Sequence, residues 1–360
     1  MPGDDQQRDL AARLRGEAAG GLASAIPGLV HALTLGVLAL APLGAEHVDA
    51  GIRAGFAAAV FGGIAATLLS GTPLPATGPR ASTSLILAGF TAALAANSGL
   101  GTAQALVLIA LCTAGSGVLQ IAFGALHLGS LVKFVPYPVL GGFMLGVAIL
   151  IALSQLPHIL GLTPGALHDP PLAWIAAVQP LSVVVSLATA AFIWVIGWRW
   201  KRLPAALLGL LAGTAVYYAL RSVLGDAASS IPVIGQLPGG LPLPTAVGDL
   251  VDRAGTPTLA RHFPVLAGTA AVLAIIGSLD SLLAAAAIDA AANTRHRANR
   301  ELVVQGVANI ASALFGGVPV ALSPTRAIPA WRAGGRTRAI GFIAAGLLAA
   351  ALIAGSRALA

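Results

Sequence analysis

The 360-residue sequence predicts an all-α polytopic membrane protein, built as two inverted repeats of seven spans with the second repeat cut short. Three observations carry that prediction. The composition is 57% hydrophobic and only 9% charged, with mean hydropathy +0.88, whereas a soluble domain carries about 25% charged residues. Apolar runs close to the ~20 residues needed to cross a bilayer as a helix recur along the whole chain, which rules out one large soluble helical core. Two runs, the third and the tenth, are abnormally short, start at a proline and occupy corresponding places in the two halves.

The apolar segments run in order over about 20–43, 51–70, 80–97, 103–127, 137–158, 172–198 and 203–221, then about 265–291, 302–317, 323–333 and 338–355. The first follows a polar segment, residues 1–19, that lacks the charged start and short apolar stretch of a cleavable signal. The first span therefore inserts the chain itself. In the second and fifth spans, the Gly55, Gly62, Gly63 and Gly141, Gly142, Gly146 groups predict close helix packing. The third starts at Gly78-Pro79-Arg80-Ala81-Ser82-Thr83 and the tenth at Ser323-Pro324-Thr325-Arg326-Ala327. Seven segments separate these two starts, which sets a repeat of seven spans. An odd number of spans makes the repeats inverted. The first repeat occupies 20–221; the second, 265–360, stops after about four spans, so a partial protein is expected.

Between them, residues 222–264 are rich in Pro and Gly, as in Gln236-Leu237-Pro238-Gly239-Gly240-Leu241-Pro242. That composition precludes a helix interior and predicts an extended extracytoplasmic connector, either packed on the surface or disordered. Lys and Arg placement gives the orientation. With the N-terminus cytoplasmic, Arg8, Arg13 and Arg15 lie inside, as do Lys133, the Arg199–Lys201–Arg202 cluster, Arg295, Arg297 and Arg300, and Arg332, Arg336 and Arg338. Arg53, Arg221, Arg253 and Arg261 are scattered outside. The protein is thus expected in the inner or plasma membrane as a multi-pass protein. The net charge of +7 belongs to these short clusters and is no nucleic-acid signal. The single cysteine, Cys112, excludes a disulfide framework or a cysteine metal site. No nucleotide loop, nucleophile triad or metal spacing occurs, so neither an enzyme, a metal nor a cofactor is expected.

The chemistry concentrates at the two Pro-Arg starts. A guanidinium stays charged at any biological pH and is costly at bilayer depth unless something negative meets it. Short segments interrupted by Pro or Gly at matching positions point to a midplane site between two half-helices. Together they predict a small-anion site.

Further residues carry a resemblance. Val135-Pro136-Tyr137-Pro138-Val139-Leu140-Gly141-Gly142-Phe143 with Gln155-Leu156-Pro157, Asp280-Ser281-Leu282-Leu283, Asn293 through Leu302, Gln305-Gly306-Val307-Ala308-Asn309-Ile310 and Phe315-Gly316-Gly317-Val318-Pro319 resemble, in order and spacing, the SulP (sulfate permease) inorganic-anion transporters. The resemblance covers about residues 20–355. It implies a core and a gate domain, with the anion between the starts of spans three and ten, beside spans one and eight. SulP proteins usually add three further spans and a cytoplasmic STAS domain, which the residues here do not include; the resemblance is to a C-terminally incomplete membrane domain. The family also usually has a small or hydroxyl residue where this sequence has Arg80.

On this basis the candidate substrate residues are Arg326, Thr325, Ser323, Ala327, Arg80, Ala81 and Ser82, and the candidate ion-coupling residues are Asp280 and His31. The resemblance puts an arginine beside the anion at Arg326; a structural arginine paired with an acid is the alternative. Thr325, Ser323, Ser82 and Thr83 are either anion-facing hydroxyls or helix caps. Arg80 is either a second charge for a divalent anion or the counter-ion of Asp280. The resemblance makes Asp280 the coupling acid, unless a salt bridge to Arg80 or Arg326 is its whole role. Ala284, one turn on, offers no oxygen to sodium, which favours proton over sodium coupling. His31 is either a proton carrier or a satisfied core histidine. Asp289, about 13 Å beyond Asp280 along a helix, is expected to pair with nearby arginines. The function these residues predict is secondary, proton-coupled transport of a small inorganic or carboxylate anion, sulfate by default, by an elevator-like or rocking motion. A nucleobase or organic-anion carrier, an anion channel and an inactive fragment are the alternatives. The bilayer and a second copy of the chain, as a homodimer, are the expected partners; nucleic acid is not.

Overall fold

The protein is built of apolar helices, two of them short and each preceded by a strand of a small ribbon. The computed structural model describes residues 2–96, 100–130, 137–162, 171–200, 205–225 and 255–358. Its helices are α1 (Pro2–Leu40), α2 (Val48–Leu69), α3 (Ala81–Ala95), α4 (Thr102–Ala125), α5 (Tyr137–Leu160), α6 (Pro171–Ala176), α7 (Pro180–Arg199), α8 (Ala205–Leu224), α9 (Thr256–Ala292), α10 (Ala298–Leu314), α11 (Pro324–Arg332) and α12 (Ala339–Ala358). Each expected apolar segment coincides with one of these helices, except the sixth, which divides into α6 and α7. Pro180 explains the division: proline disfavours a helical residue before it, and Gln179 is extended at φ −94°, ψ 107°. Five helices among the described residues are long and apolar enough to cross a membrane.

Two boundaries differ from expectation. The N-terminal polar segment is helical from Pro2 and continuous with the first span. The Pro/Gly-rich connector ends earlier than its composition suggests, because α9 starts at Thr256, with Pro257 in the first turn, where a missing N–H costs nothing. Residues 226–254 of the connector, and Lys133, Lys201, Arg202 and Arg253, lie outside the described residues.

The chain divides into two compact units, Met1–Val135 with Gln236–Ala360, and Pro136–Gly235. The first holds α1–α4 and α9–α12, so the expected core spans one, three, eight and ten all fall in it. The second holds α5–α8. In it, among the described residues, no atom lies within 4 Å of where a Cβ would stand on Gly142 or Gly146.

In the first unit, α4 and α10 cross backbone to backbone. A Cβ on Gly117 would lie 2.5 Å from Gly306 O, and one on Gly306 would lie 2.5 Å from Gly117 O. Such approach needs small residues on both helices. Buried Leu108, Cys112, Leu273, Val304 and Ala308 fill the space around this crossing, and Cys112 is a fully buried core residue.

The element that the sequence does not announce is a two-stranded antiparallel ribbon. Strand β1 (Thr77–Pro79) precedes α3 and strand β2 (Val320–Leu322) precedes α11. The register pairs Thr77 with Leu322, Gly78 with Ala321 and Pro79 with Val320. Because the strands are antiparallel, α3 and α11 start from opposite ends of the ribbon. At 15 and 9 residues these helices are roughly 22 and 14 Å long, too short to cross a bilayer core of about 30 Å. Each half of the chain therefore uses a strand plus a half-helix where a full span would otherwise stand.

Candidate functional site

The starts of α3 and α11 meet α1 and α9 inside the first unit. Pro324 holds its predecessor Ser323 extended (φ −121°, ψ 110°). Arg80, the residue after Pro79 at the end of β1, is extended as well (φ −127°, ψ 145°), and the two are the non-helical caps of their helices. Within α3 the first intrahelical acceptor, Arg80 O, is taken by Ser84 N–H at 2.9 Å. The amides of Ala81, Ser82 and Thr83 precede it, where a helix has no acceptors of its own, and the helix ends are positively polarised there.

Arg80 and Asp280 form an ion pair with two contacts, Nε–H to Oδ2 and Nη2–H to Oδ1, both 3.3 Å. The Asp280 side chain is 3% exposed and that of Arg80 17%. Ser82 Oγ–H donates to Asp280 Oδ2 at 2.5 Å, and Thr83 Oγ1–H donates to Arg80 O at 3.1 Å. Of the two readings open for Arg80, its geometry is that of the counter-ion, and the Ser82 hydroxyl completes the carboxylate's shell.

Arg326 is buried and differs in kind. Its Nε–H donates to Ser24 O of α1 at 3.1 Å and its Nη1–H to Thr77 O of β1 at 2.9 Å. Among the described residues no carboxylate pairs with it. Two glycines make room for its fork: a Cβ on Gly28 would lie 3.0 Å from both Cζ and Nη2, and one on Gly78 would collide with Nη1. Pro27, in the same turn of α1, removes one rung of that helix's hydrogen-bond ladder beside the contact.

His31 lies within electrostatic reach of both Arg326 and Arg80. Its Nδ1 is buried without a hydrogen-bond partner among the described residues, as is Ser24 Oγ. Ser323 is buried, Thr325 is exposed, and their hydroxyl oxygens are 2.9 Å apart. Ala327 is fully buried and its N–H bonds Ser323 O at 3.0 Å, so that amide is not free. Asp289 pairs differently from expectation. It accepts from Thr294 Oγ1–H at 2.7 Å and from His296 N–H at 2.9 Å, and it lies 2.7 Å from His296 Nδ1. The left-handed turn at Asn293 brings Thr294 and His296 back to the carboxylate at the end of α9, and among the described residues no arginine pairs with it.

The site also draws on residues that the sequence does not single out. Ser24 and Thr77 supply main-chain carbonyls, which no side-chain pattern encodes. Ser281 Oγ accepts from Leu322 N–H at 3.4 Å. Gln305 and Asn309 lie four apart on α10 and bond the two strands. Polar residues at i and i+4 in an apolar helix were the available signal for these two.

The comparisons agree with this architecture. The profile of the Sulfate permease family matches residues 14–360. The chain is 33% identical over 347 residues to the bicarbonate transporter BicA of a Picosynechococcus species, covering 93% of this chain and 56% of that protein. It is 30% identical over 302 residues to the putative sulfate transporter YvdB of Bacillus subtilis, covering 81% and 53%. The chain thus spans about half the length of these relatives. Among solved structures, the transmembrane domain of a cyanobacterial BicA aligns at TM-score 0.79 and 30% identity, over 96% of this chain and 84% of that one. Murine Slc26a9 in an inward-facing state aligns at TM-score 0.76 and 18% identity, over 95% and 57%, which speaks to the fold alone. With its two half-helices, its strand ribbon and a profile match over nearly its whole length, the chain belongs to the sulfate permease family.

Proposed function

We propose that the chain is a membrane transporter of a small oxyanion, held between the starts of α3 and α11. The observation that carries this is Arg326: buried and, among the described residues, bonded only to two carbonyls and without a carboxylate. A guanidinium without counter-charge is costly in a membrane interior, and an anion at the two helix starts offsets that cost. The names of the relatives, bicarbonate and sulfate transporters, fit the same substrate class.

Charge matching narrows the substrate. Arg80 and Asp280 cancel, which leaves Arg326 as one net positive charge and suits a monovalent oxyanion such as bicarbonate. A proton on Asp280 releases Arg80 and raises the net charge to two, which suits sulfate. Asp280 is therefore the coupling acid in this reading, and His31, within electrostatic reach of Arg80 and Arg326, is the second candidate. Sodium is the weaker choice, since Ala284 supplies no oxygen one turn beyond Asp280. A homodimer in the cell membrane with a cytoplasmic N-terminus completes the proposal.

Uptake of bicarbonate, sulfate and a dicarboxylate into proteoliposomes tests it, across a pH gradient and with or without sodium. Saturable flux with counterflow is expected, and a proton gradient should stimulate sulfate uptake more than bicarbonate uptake. Arg326→Ala should lower uptake at least about tenfold, which corresponds to 1.4 kcal/mol, while the protein still inserts. Wild-type-like flux of all three anions in that variant overturns the site; unitary currents would make the protein a channel.

A further inference from the structure

Against the ribbon lies a set of fully buried carboxamides that the transport reading does not use. Gln120 on α4 and Gln305 and Asn309 on α10 are each at most 2% exposed. Asn309 meets four polar partners. Its Oδ1 accepts from Val320 N–H at 2.7 Å, and its Nδ2 group lies 2.8 Å from Gln120 Oε1, 3.1 Å from Gln305 O and 3.1 Å from Val320 O. The carboxamide thus takes both the N–H and the C=O of one strand residue, as a neighbouring strand would. One turn earlier, Gln305 Nε2–H donates to Thr77 Oγ1 at 3.0 Å and to Glu301 Oε1 at 2.7 Å.

These bonds explain how so short a ribbon keeps its register. Three residue pairs are well below the strand length that holds itself together, and an open strand edge is unsatisfied in an apolar interior. Side chains close the edges instead. Asn309 and Ser281 close β2 at Val320 and Leu322, and Arg326 closes β1 at the Thr77 carbonyl. The same Thr77 bears the Gln305 contact on its hydroxyl. Helix α10 therefore grips both strands from one face, at residues one turn apart, and one of those strands carries the carbonyl that orients the Arg326 fork. Gln120 extends the contact to α9: a Cβ on Gly277, one turn before Asp280, would lie 2.9 Å from Gln120 Nε2.

We propose that Asn309 and Gln305 are positioning residues that lock the register of the β1–β2 ribbon and thereby fix the spacing between the α3 and α11 starts on which anion affinity depends. The affinity half of this proposal rests on the anion-transport reading; the register half does not. Anion affinity is sensitive to that spacing because a one-residue slip in a strand turns every side chain to the other face.

The test compares wild type with Asn309→Ala, Asn309→Asp, Asn309→Ser and Gln305→Ala in two measurements. The first is amide hydrogen exchange over residues 76–84 and 319–328 in the purified protein. The second is the half-saturation and maximal rate of bicarbonate and sulfate uptake per inserted molecule. Asn309→Ala should speed exchange on both strands, including Gly78 of β1, which Asn309 does not touch. It should also raise the half-saturation concentration about tenfold, with a smaller change in maximal rate. Asn309→Asp keeps the volume and the acceptor for Val320 N–H but loses both donors, and should fall as far as alanine. Asn309→Ser, which keeps a small hydrogen-bonding group, should lie between, and it stands in if the alanine variant does not fold. Exchange changes confined to Val320, an aspartate variant that behaves as wild type, or unchanged half-saturation would each overturn the proposal. If wild type moves no anion, the transport reading fails, and the exchange pattern alone decides whether these amides hold the ribbon.

Discussion

Arg80 and Arg326 look alike in the sequence, each just after a proline at the start of a short helix, and the structure gives them opposite surroundings. Arg80 has its carboxylate, Asp280, on the neighbouring helix. Arg326 has carbonyls and glycines around it. Removing one partner of a buried ion pair leaves the other uncompensated and costs about 3–5 kcal/mol, whereas replacing both by apolar groups is often neutral. Asp280→Asn should therefore lower the unfolding temperature sharply, and Arg80→Met with Asp280→Leu should restore most of it without restoring transport. A single variant as stable as wild type would mean that the pair holds nothing together. Gly28→Ala probes the other arginine. Its Cβ would press on the Arg326 fork and loosen the bonds to Ser24 O and Thr77 O, charged hydrogen bonds worth about 1.5–3 kcal/mol each. Thermal unfolding should fall by part of that amount, and anion half-saturation should rise; an unchanged value of both would show that α1 yields freely at this point.

At the scale of elements, what was legible followed from composition, and what was not followed from main-chain geometry. The eleven apolar segments are visible because each must satisfy the bilayer by itself, and the short third and tenth stand out against that rule. The ribbon between them was hidden, since Thr77–Pro79 and Val320–Leu322 are three residues each and their partner lies over 240 positions away. The same limit applied at the site: Asp280 and Arg326 were recognisable as charges in apolar runs, but the carbonyl partners of Arg326 depend on which backbones meet. Glycine patterns were half legible. Gly55 lies against Ala32 O of α1 as a packing residue should, while no neighbour among the described residues stands within 4 Å of Gly142 or Gly146; a glycine marks close approach only where another helix covers it. The α4–α10 crossing gives a direct test of this point. Gly117→Leu and Gly306→Leu each put a side chain into the opposite main chain, and overpacking costs about 1–3 kcal/mol even where side chains can yield. Each should lower the unfolding temperature and the yield of monodisperse protein. The double variant should lose less than the sum, since both act on one crossing; strict additivity would show that the two helices separate independently.

At the scale of the whole molecule, the first unit brings the basic loops that were assigned to the cytoplasm to one end. The carbonyls at the end of α2 and just past it are held by Arg300, in the first turn of α10, and Arg338, just before α12: Arg300 donates to Leu69 O at 2.9 and 3.2 Å, and Arg338 to Leu68 O and Ser70 O at 3.2 Å each. The loop before α10 joins them, with Arg297 N–H on Gly71 O at 3.3 Å. The N-terminal part of α1 is there too, its Glu17 accepting from the amides of Arg336 and Thr337 at 2.9 and 3.0 Å. Basic residues near the ends of spans orient a chain with that side inward, and here the ends of α2, α9 and α11 must share one side because they bond one another. The orientation of the unit is therefore a single choice rather than one choice per loop. In a Cys112→Ser background, single cysteines in place of Ala12, Asn293 and Gly334 should all be protected from a membrane-impermeant thiol reagent applied outside intact cells and labelled after lysis, whereas one in place of Ala41, just beyond the other end of α1, should react in intact cells. The opposite pattern at all four positions would invert the assigned orientation. A split among the first three would contradict the hydrogen bonds that join their loops, and with them the fold of the unit.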